Sequence, residues 1–88
     1  MQQETWSVVW DLDDDLGGNV HHVAEHDLTK DEVEDVLLDA SLDIDLSDSS
    51  GRRLRQGWTS TGRYIVVIWE FIDEDTVYPV TAYEPTDE

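Results

Sequence analysis

Arg63-Tyr64-Ile65-Val66-Val67-Ile68-Trp69-Glu70-Phe71-Ile72 is the most apolar stretch of this chain, and its reading decides the fold. In an extended strand Tyr64, Val66 and Ile68 share one side, while Ile65, Val67, Trp69 and Phe71 share the other. A strand apolar on both faces belongs in the middle of a sheet, covered on both sides. Just before it, Ser60-Thr61-Gly62 reads as a tight turn joining it to a strand over 53–59. Just after it, Asp73-Glu74-Asp75 reads as a turn leading to a last strand over 77–83. Pro79 has no backbone N–H, which puts that last strand at a sheet edge or places a bulge in it.

The N-terminal half supplies the layer that packs on this sheet. Trp6, Val8 and Trp10 alternate with Ser7 and Val9, predicting a first strand over 5–10. The acidic run Asp11-Leu12-Asp13-Asp14-Asp15 ends it and favours the start of a following helix through the macrodipole. Leu16, Val20, Val23 and Ala24 at helical spacing predict a first helix over 18–26, with Gly17 and Gly18 blurring its start at about 1 kcal/mol each. Thr29-Lys30-Asp31-Glu32 has the order of a capping box and opens a second helix, whose apolar stripe is Val33, Val36, Leu37 and Ala40. Leu42, Ile44 and Leu46 alternate with Asp43 and Asp45, the pattern of a second strand with an acidic outer face, and a turn follows at 47–51. Glu84 to Glu88 reads as a short, mobile acidic tail. The whole predicts one α+β domain over 1–88, with two helices packed on a mainly antiparallel sheet of four to five strands.

A chain of 88 residues is expected to bury only about 60 to 65% of its unfolded surface, enough for one core. Twenty-two acidic residues against five basic ones give a formal charge of −17. Such a field repels phosphate backbones, disfavours RNA and favours a basic protein partner, although solubility in a crowded or salty medium explains it as well. No cysteine is present, so thiolate catalysis, disulfides and cysteine-based zinc sites are excluded. No apolar run reaches the roughly 20 residues needed to span a bilayer, and Met1-Gln2-Gln3-Glu4 does not open a signal peptide, so the expected location is cytoplasmic.

Three constellations invite a chemical reading. The acidic run at 11–15 resembles a calcium loop only superficially, since the sixth and twelfth positions are Leu16 and His22 rather than Gly and Glu. His22 and His26 stand one helical turn apart and, with His21 and Glu25 close by, are conceivable metal ligands; equally, one histidine packs on the sheet while the others face solvent. Arg52, Arg53, Arg55 and Arg63 are four of the five basic residues. Across adjacent strands their guanidiniums either converge on a phosphate or neutralise Asp43, Asp45 and Asp48. No Gly-rich phosphate loop, Ser-His-Asp order or paired-carboxylate signature occurs, so spacing assigns neither a cofactor nor a catalytic reaction.

The order of motifs resembles the BrnT-like toxins of bacterial toxin–antitoxin pairs, which share the RelE-type ribonuclease fold. The matching residues are Val9-Trp10-Asp11, Asn19-Val20-x-x-Val23-x-Glu25-His26, Thr29-x-x-Glu32-Val33, Gly57-x-Thr59-x-x-Gly62-Arg63-Tyr64-Ile65-Val66-Val67 and Val80-Thr81-Ala82-Tyr83. They span nearly the whole chain. The resemblance implies a compact β-α-α-β-β-β domain that cleaves RNA and is wrapped by a cognate antitoxin. It also implies His26 as general acid or base, with Arg53, Arg55 and Arg63 holding the scissile phosphate. This chain has Glu25 and Asp27 where the family flanks its histidine with Lys and Gly, and Thr81-Ala82-Tyr83 where the family has Ser-Ala-Arg. A second expectation keeps the fold without the chemistry: an acidic interaction module that binds a basic protein through 11–15, 43–48 and the C-terminal tail.

Overall fold

The computed structural model describes residues 3–47 and 51–85. The elements are β1 (Ser7–Val8), α1 (Asn19–Glu25), α2 (Lys30–Leu37), β2 (Asp45–Leu46), β3 (Arg53–Trp58), β4 (Tyr64–Asp73) and β5 (Thr76–Tyr83). They form an α+β fold in which both helices pack on a mixed five-stranded sheet of order β1-β5-β4-β3-β2. β1 runs parallel to β5, and every other neighbouring pair is antiparallel.

β4 is the central strand. Its residues Ile65, Val67 and Trp69 join Val23 and Leu28 from the α1 region, Val33, Val36 and Leu37 of α2, and Val77 and Ala82 of β5 in one buried core. Each such aliphatic side chain contributes about 1.5–3 kcal/mol by leaving water. The opposite face carries Val66 and Ile68, only 4% and 8% exposed. Among the described residues no helix packs there. Val66 is flanked in register by Gln56 and Tyr83, and Ile68 by Leu54 and Thr81. The strand predicted to be covered on both sides is thus buried on both, with helices over one face and, among the described residues, none over the other.

Local chemistry explains both helices. At α2, Thr29 Oγ1 accepts from the Glu32 amide at 3.2 Å, and Glu32 Oε1 accepts from the Thr29 amide at 3.1 Å, completing the predicted capping box. α1 begins one residue after Gly18, where a side chain cannot fit: an added Cβ would stand 2.6 Å from Asp11 Cβ. It ends in a Schellman arrangement, with the Asp27 amide on the Ala24 carbonyl and the Leu28 amide on the Val23 carbonyl. Asp27 takes the left-handed conformation this requires, at φ 62°.

One expectation is corrected and another is met. Only Asp45–Leu46 of the alternating segment 42–46 pairs as a strand, and although Leu42 packs on the core, Ile44 and Leu46 are exposed. β2 is the sheet's edge, and α2 packs over β3 and β4. At Pro79 the second of the two predicted placements holds, a bulge in β5, whose first residues Thr76 and Val77 pair with β1. The missing donor is accommodated by a register shift that leaves Val80 between the pairs Trp69↔Pro79 and Ile68↔Thr81. In the predicted turn at 47–51, the Gly51 amide donates to Ser47, while 48–50 lie outside the described residues, as does the end of the predicted tail, 86–88.

Candidate functional site

The four arginines singled out in the sequence do not converge. Arg55 is buried: it points from β3 beneath the end of α2, donating from Nη1 to the Leu37 carbonyl at 2.8 Å and from Nη2 to Glu4 Oε2 at 2.6 Å. Its guanidinium also lies over the Trp6 ring, 5.1 Å from the centroid. Arg53 shares that face and lies over Phe71 at 5.0 Å. Trp6, Trp69 and Phe71 are in mutual ring contact at 5.0–5.1 Å, edge-on at Phe71, so these two cations complete an aromatic cluster. Arg52 approaches Glu70 at 3.8 Å. Neither Asp43 nor Asp45 partners any of the four in these contacts, and Asp48 lies outside the described residues.

Arg63 stands at the other end of the β3–β4 hairpin, beyond the terminal pair Trp58↔Tyr64. Its Nη1 donates to the Asp27 carbonyl at 2.6 Å and lies 3.5 Å from Glu32 Oε1, while Nη2 donates to Glu84 Oε1 at 2.8 Å. The hydrogen bond to Glu84 comes first among the causes holding the guanidinium above its usual range, and the same bond lowers the Glu84 carboxyl. Glu32 is buried and is lowered chiefly by the Thr61 hydroxyl, which donates to Oε2 at 2.5 Å. The capping box of α2 and the β3–β4 turn are thus locked together around one cation. Ser60 fastens the turn again, its amide and hydroxyl donating to Asp35 at 2.9 and 2.7 Å.

His26 belongs to this corner. It is exposed at the end of α1, one residue before the carbonyl that Arg63 holds, and its ring is 6.2 Å from that of Tyr83. Of the predicted catalytic set, the structure brings His26 and Arg63 into one region and leaves Arg53 and Arg55 elsewhere. His22 packs toward β5, with Nδ1 3.3 Å from the Val80 carbonyl, and His21 Nε2 lies 2.7 Å from the Asp13 carbonyl. Among the described residues no group of three or more His, Asp or Glu side chains is placed to hold a metal ion. No described helix is long and apolar enough to cross a membrane.

Beside Arg63 the bare face of the sheet opens a hollow of about 430 Å³ lined by Trp58, Gly62, Arg63, Tyr64, Glu84 and Pro85. Trp58 is 67% exposed, and Tyr64 meets its ring edge-on at 5.2 Å. Trp58 is not among the residues that the sequence motifs single out. The available signal was the alternation itself, since Trp58 follows Gln56 on the face opposite Arg55 and Gly57 is the last buried residue before it.

A second node, also missed, joins α1 to the sheet. Asn19 is fully buried; its Oδ1 accepts from the Asp11 amide at 2.8 Å, and its Nδ2 donates to the Val9 and Pro79 carbonyls at 3.0 and 2.9 Å. Asp11 Oδ2 accepts from the Asn19 amide at 2.9 Å and from the Tyr78 hydroxyl at 2.5 Å. The Tyr78 bond is the leading cause lowering the Asp11 carboxyl, and it raises the Tyr78 phenol to about 12. Asp11 is thereby committed to the fold rather than to a cation.

No protein-family model, curated protein or solved structure matches the chain.

Proposed function

We propose that this chain is an acidic interaction module that docks a basic protein partner on the sheet face that no helix covers. The observation that carries this reading is how the chain spends its few cations. Lys30 pairs with Asp13, Arg52 with Glu70, Arg55 with Glu4, and Arg63 with Glu32 and Glu84, while Arg53 covers an aromatic ring. The remaining carboxylates give the surface a single-sign field, and Trp58 stands exposed within it. Charge of this kind speeds encounter with an oppositely charged protein and selects against anionic ones.

A lysine- and arginine-rich peptide is the probe. Its affinity should fall at least about tenfold between 0.05 and 0.5 M NaCl, as screening shortens the range of the field. An acidic peptide of equal length should not bind. Affinity independent of salt would overturn the reading.

The placement of His26 and Arg63 in one corner favours a second reading, a toxin-like ribonuclease of a toxin–antitoxin pair, in which His26 moves a proton and Arg63 holds phosphate. A phosphate would have to displace Glu84 from Arg63, which is why this reading comes second. RNA cleavage by the purified chain, lost in Arg63→Ala, would reverse the order; intact RNA after incubation would remove it.

A further inference from the structure

We infer that the hollow at Trp58 and Tyr64 seats one cationic side chain, an arginine or lysine, of the basic partner; the inference rests on the docking reading above and gives it an address. Three features of the hollow point to a cation. Trp58, the aromatic ring with the strongest attraction for cations, is 67% exposed here. Tyr64 stands against it at an interplanar angle of 73°, so two π-systems line one wall. Gly62, at φ +87°, contributes no side chain, and nothing lies within 4 Å of where one would project. A long side chain can therefore enter along the turn.

The charges around the hollow choose the occupant. Glu84 lines it, and Arg63, the one cation in its wall, is already shared by Glu84 and Glu32. Arg63 Nη1 and Nη2 are engaged by Asp27, Glu32 and Glu84, so an anion would have to break an ion pair to enter. A cation breaks none: it meets the rings and the Glu84 carboxylate, one oxygen of which is held by Arg63. A second copy of this chain is a poor occupant, because each copy brings a charge of −17.

The experiment follows the four indole N–H resonances in two-dimensional NMR while an eight-residue peptide of alternating Arg and Gly is added at low salt. A matched peptide with citrulline in place of Arg keeps the shape and removes the charge. The Arg peptide should move the Trp58 indole and leave the core Trp69 indole in place, and the citrulline peptide should move neither. Trp58→Leu should weaken the Arg peptide about threefold, and Trp58→Phe should retain most of the affinity, as a cation on a ring requires. Because Trp58 is exposed, both variants should keep the dispersed indole signals of Trp6, Trp10 and Trp69. Salt-sensitive binding that ignores Trp58→Leu would overturn the seat and leave the acidic module standing. No binding of the Arg peptide at all would overturn both. A Trp58 shift that appears on raising protein concentration alone would show a contact between copies and also overturn the seat.

Discussion

β4 turns Ile65, Val67 and Trp69 toward the helices and Val66 and Ile68 toward the bare face, with nearly equal apolar character on each side. On the helix side the residues around it are fixed by packing, and even the cation Arg55 is enclosed, its charge met by Glu4, the Leu37 carbonyl and the Trp6 ring. On the other side the same strand is shielded by a single layer of side chains, and at its edge Trp58 is left in water. One strand thus has two environments: one face is buried under the helices, and the other is buried among the side chains of its own sheet, with Trp58 exposed at its margin. Apolarity alone does not separate the two; what lies above each face does.

The contrast is broken or upheld most directly by comparing two tryptophans. Trp69→Ala should cost about 3–5 kcal/mol in denaturant unfolding, because a fully buried ring leaves a cavity among side chains from both helices and three strands. Trp58→Ala should cost no more than about 0.5 kcal/mol. Equal losses would mean that the bare face is as structural as the covered one.

The enclosed ion pair sharpens the comparison with a smaller, asymmetric effect. In the Arg55–Glu4 pair the arginine side chain is 3% exposed and the glutamate 22%. Removing Glu4 therefore strands the buried member, and Glu4→Gln should destabilise by about 3 kcal/mol. Arg55→Met removes the buried charge itself and should cost less. The exposed Lys30–Asp13 pair, by contrast, should be worth about 0–1 kcal/mol in a double-mutant cycle. The reverse order for Glu4→Gln and Arg55→Met would show that Glu4, not Arg55, is the enclosed charge.

The smallest effect concerns pH at the Asp11–Tyr78 bond. Tyr78 is raised from 10.0 to about 12 in the fold, so its contribution is complete below pH 10 and is lost as pH rises through 12. Asp11 is lowered from 3.8, so its contribution is present above that value and is lost as pH falls through the depressed one. The stability gap between the wild type and Tyr78→Phe should be flat between these limits and close at both ends, as followed by unfolding from pH 2 to 12. A gap that stays open in acid would mean that Asp11 is not the partner that matters.

How much of this was legible in the chain depends on the range of the interaction. The capping box at Thr29 and Glu32, the doubly apolar strand and the stripe Val33, Val36 and Leu37 are local patterns that stand in the structure where their spacing put them, although Ala40, predicted to extend the stripe, lies beyond the end of α2 at Leu37. Ile44 and Leu46 show local pattern failing: alternation marks a strand, but burial needs a layer above, and the sheet's edge has none. The arginines fail for another reason. Proximity along the chain suggested one shared cluster, yet Arg55 finds Glu4, 51 positions away, and Arg63 finds Glu32 and Glu84, 31 and 21 positions away. Charge pairing of that range is decided by topology, and no spacing rule reads it. Two of the four candidate residues, His26 and Arg63, share a region only because the end of α1 meets the start of β4.

The Asn19 clip has a kinetic consequence. The β3–β4 and β4–β5 pairs are joined by short turns, so their ladders close small loops. β1 must instead find β5 across some 70 positions, and its ladder holds only two residue pairs. Loop-closure entropy makes such a late, distant pairing slow. Asn19, bonded to the carbonyl of Val9 just past β1 and to that of Pro79 within β5, is placed to latch that pairing once the shorter loops of the hairpins have closed. In native-state hydrogen exchange the amides of Ser7 and Val9 should accordingly open before those of β4, and Asn19→Ala should widen that difference while leaving the hairpin amides close to their original protection.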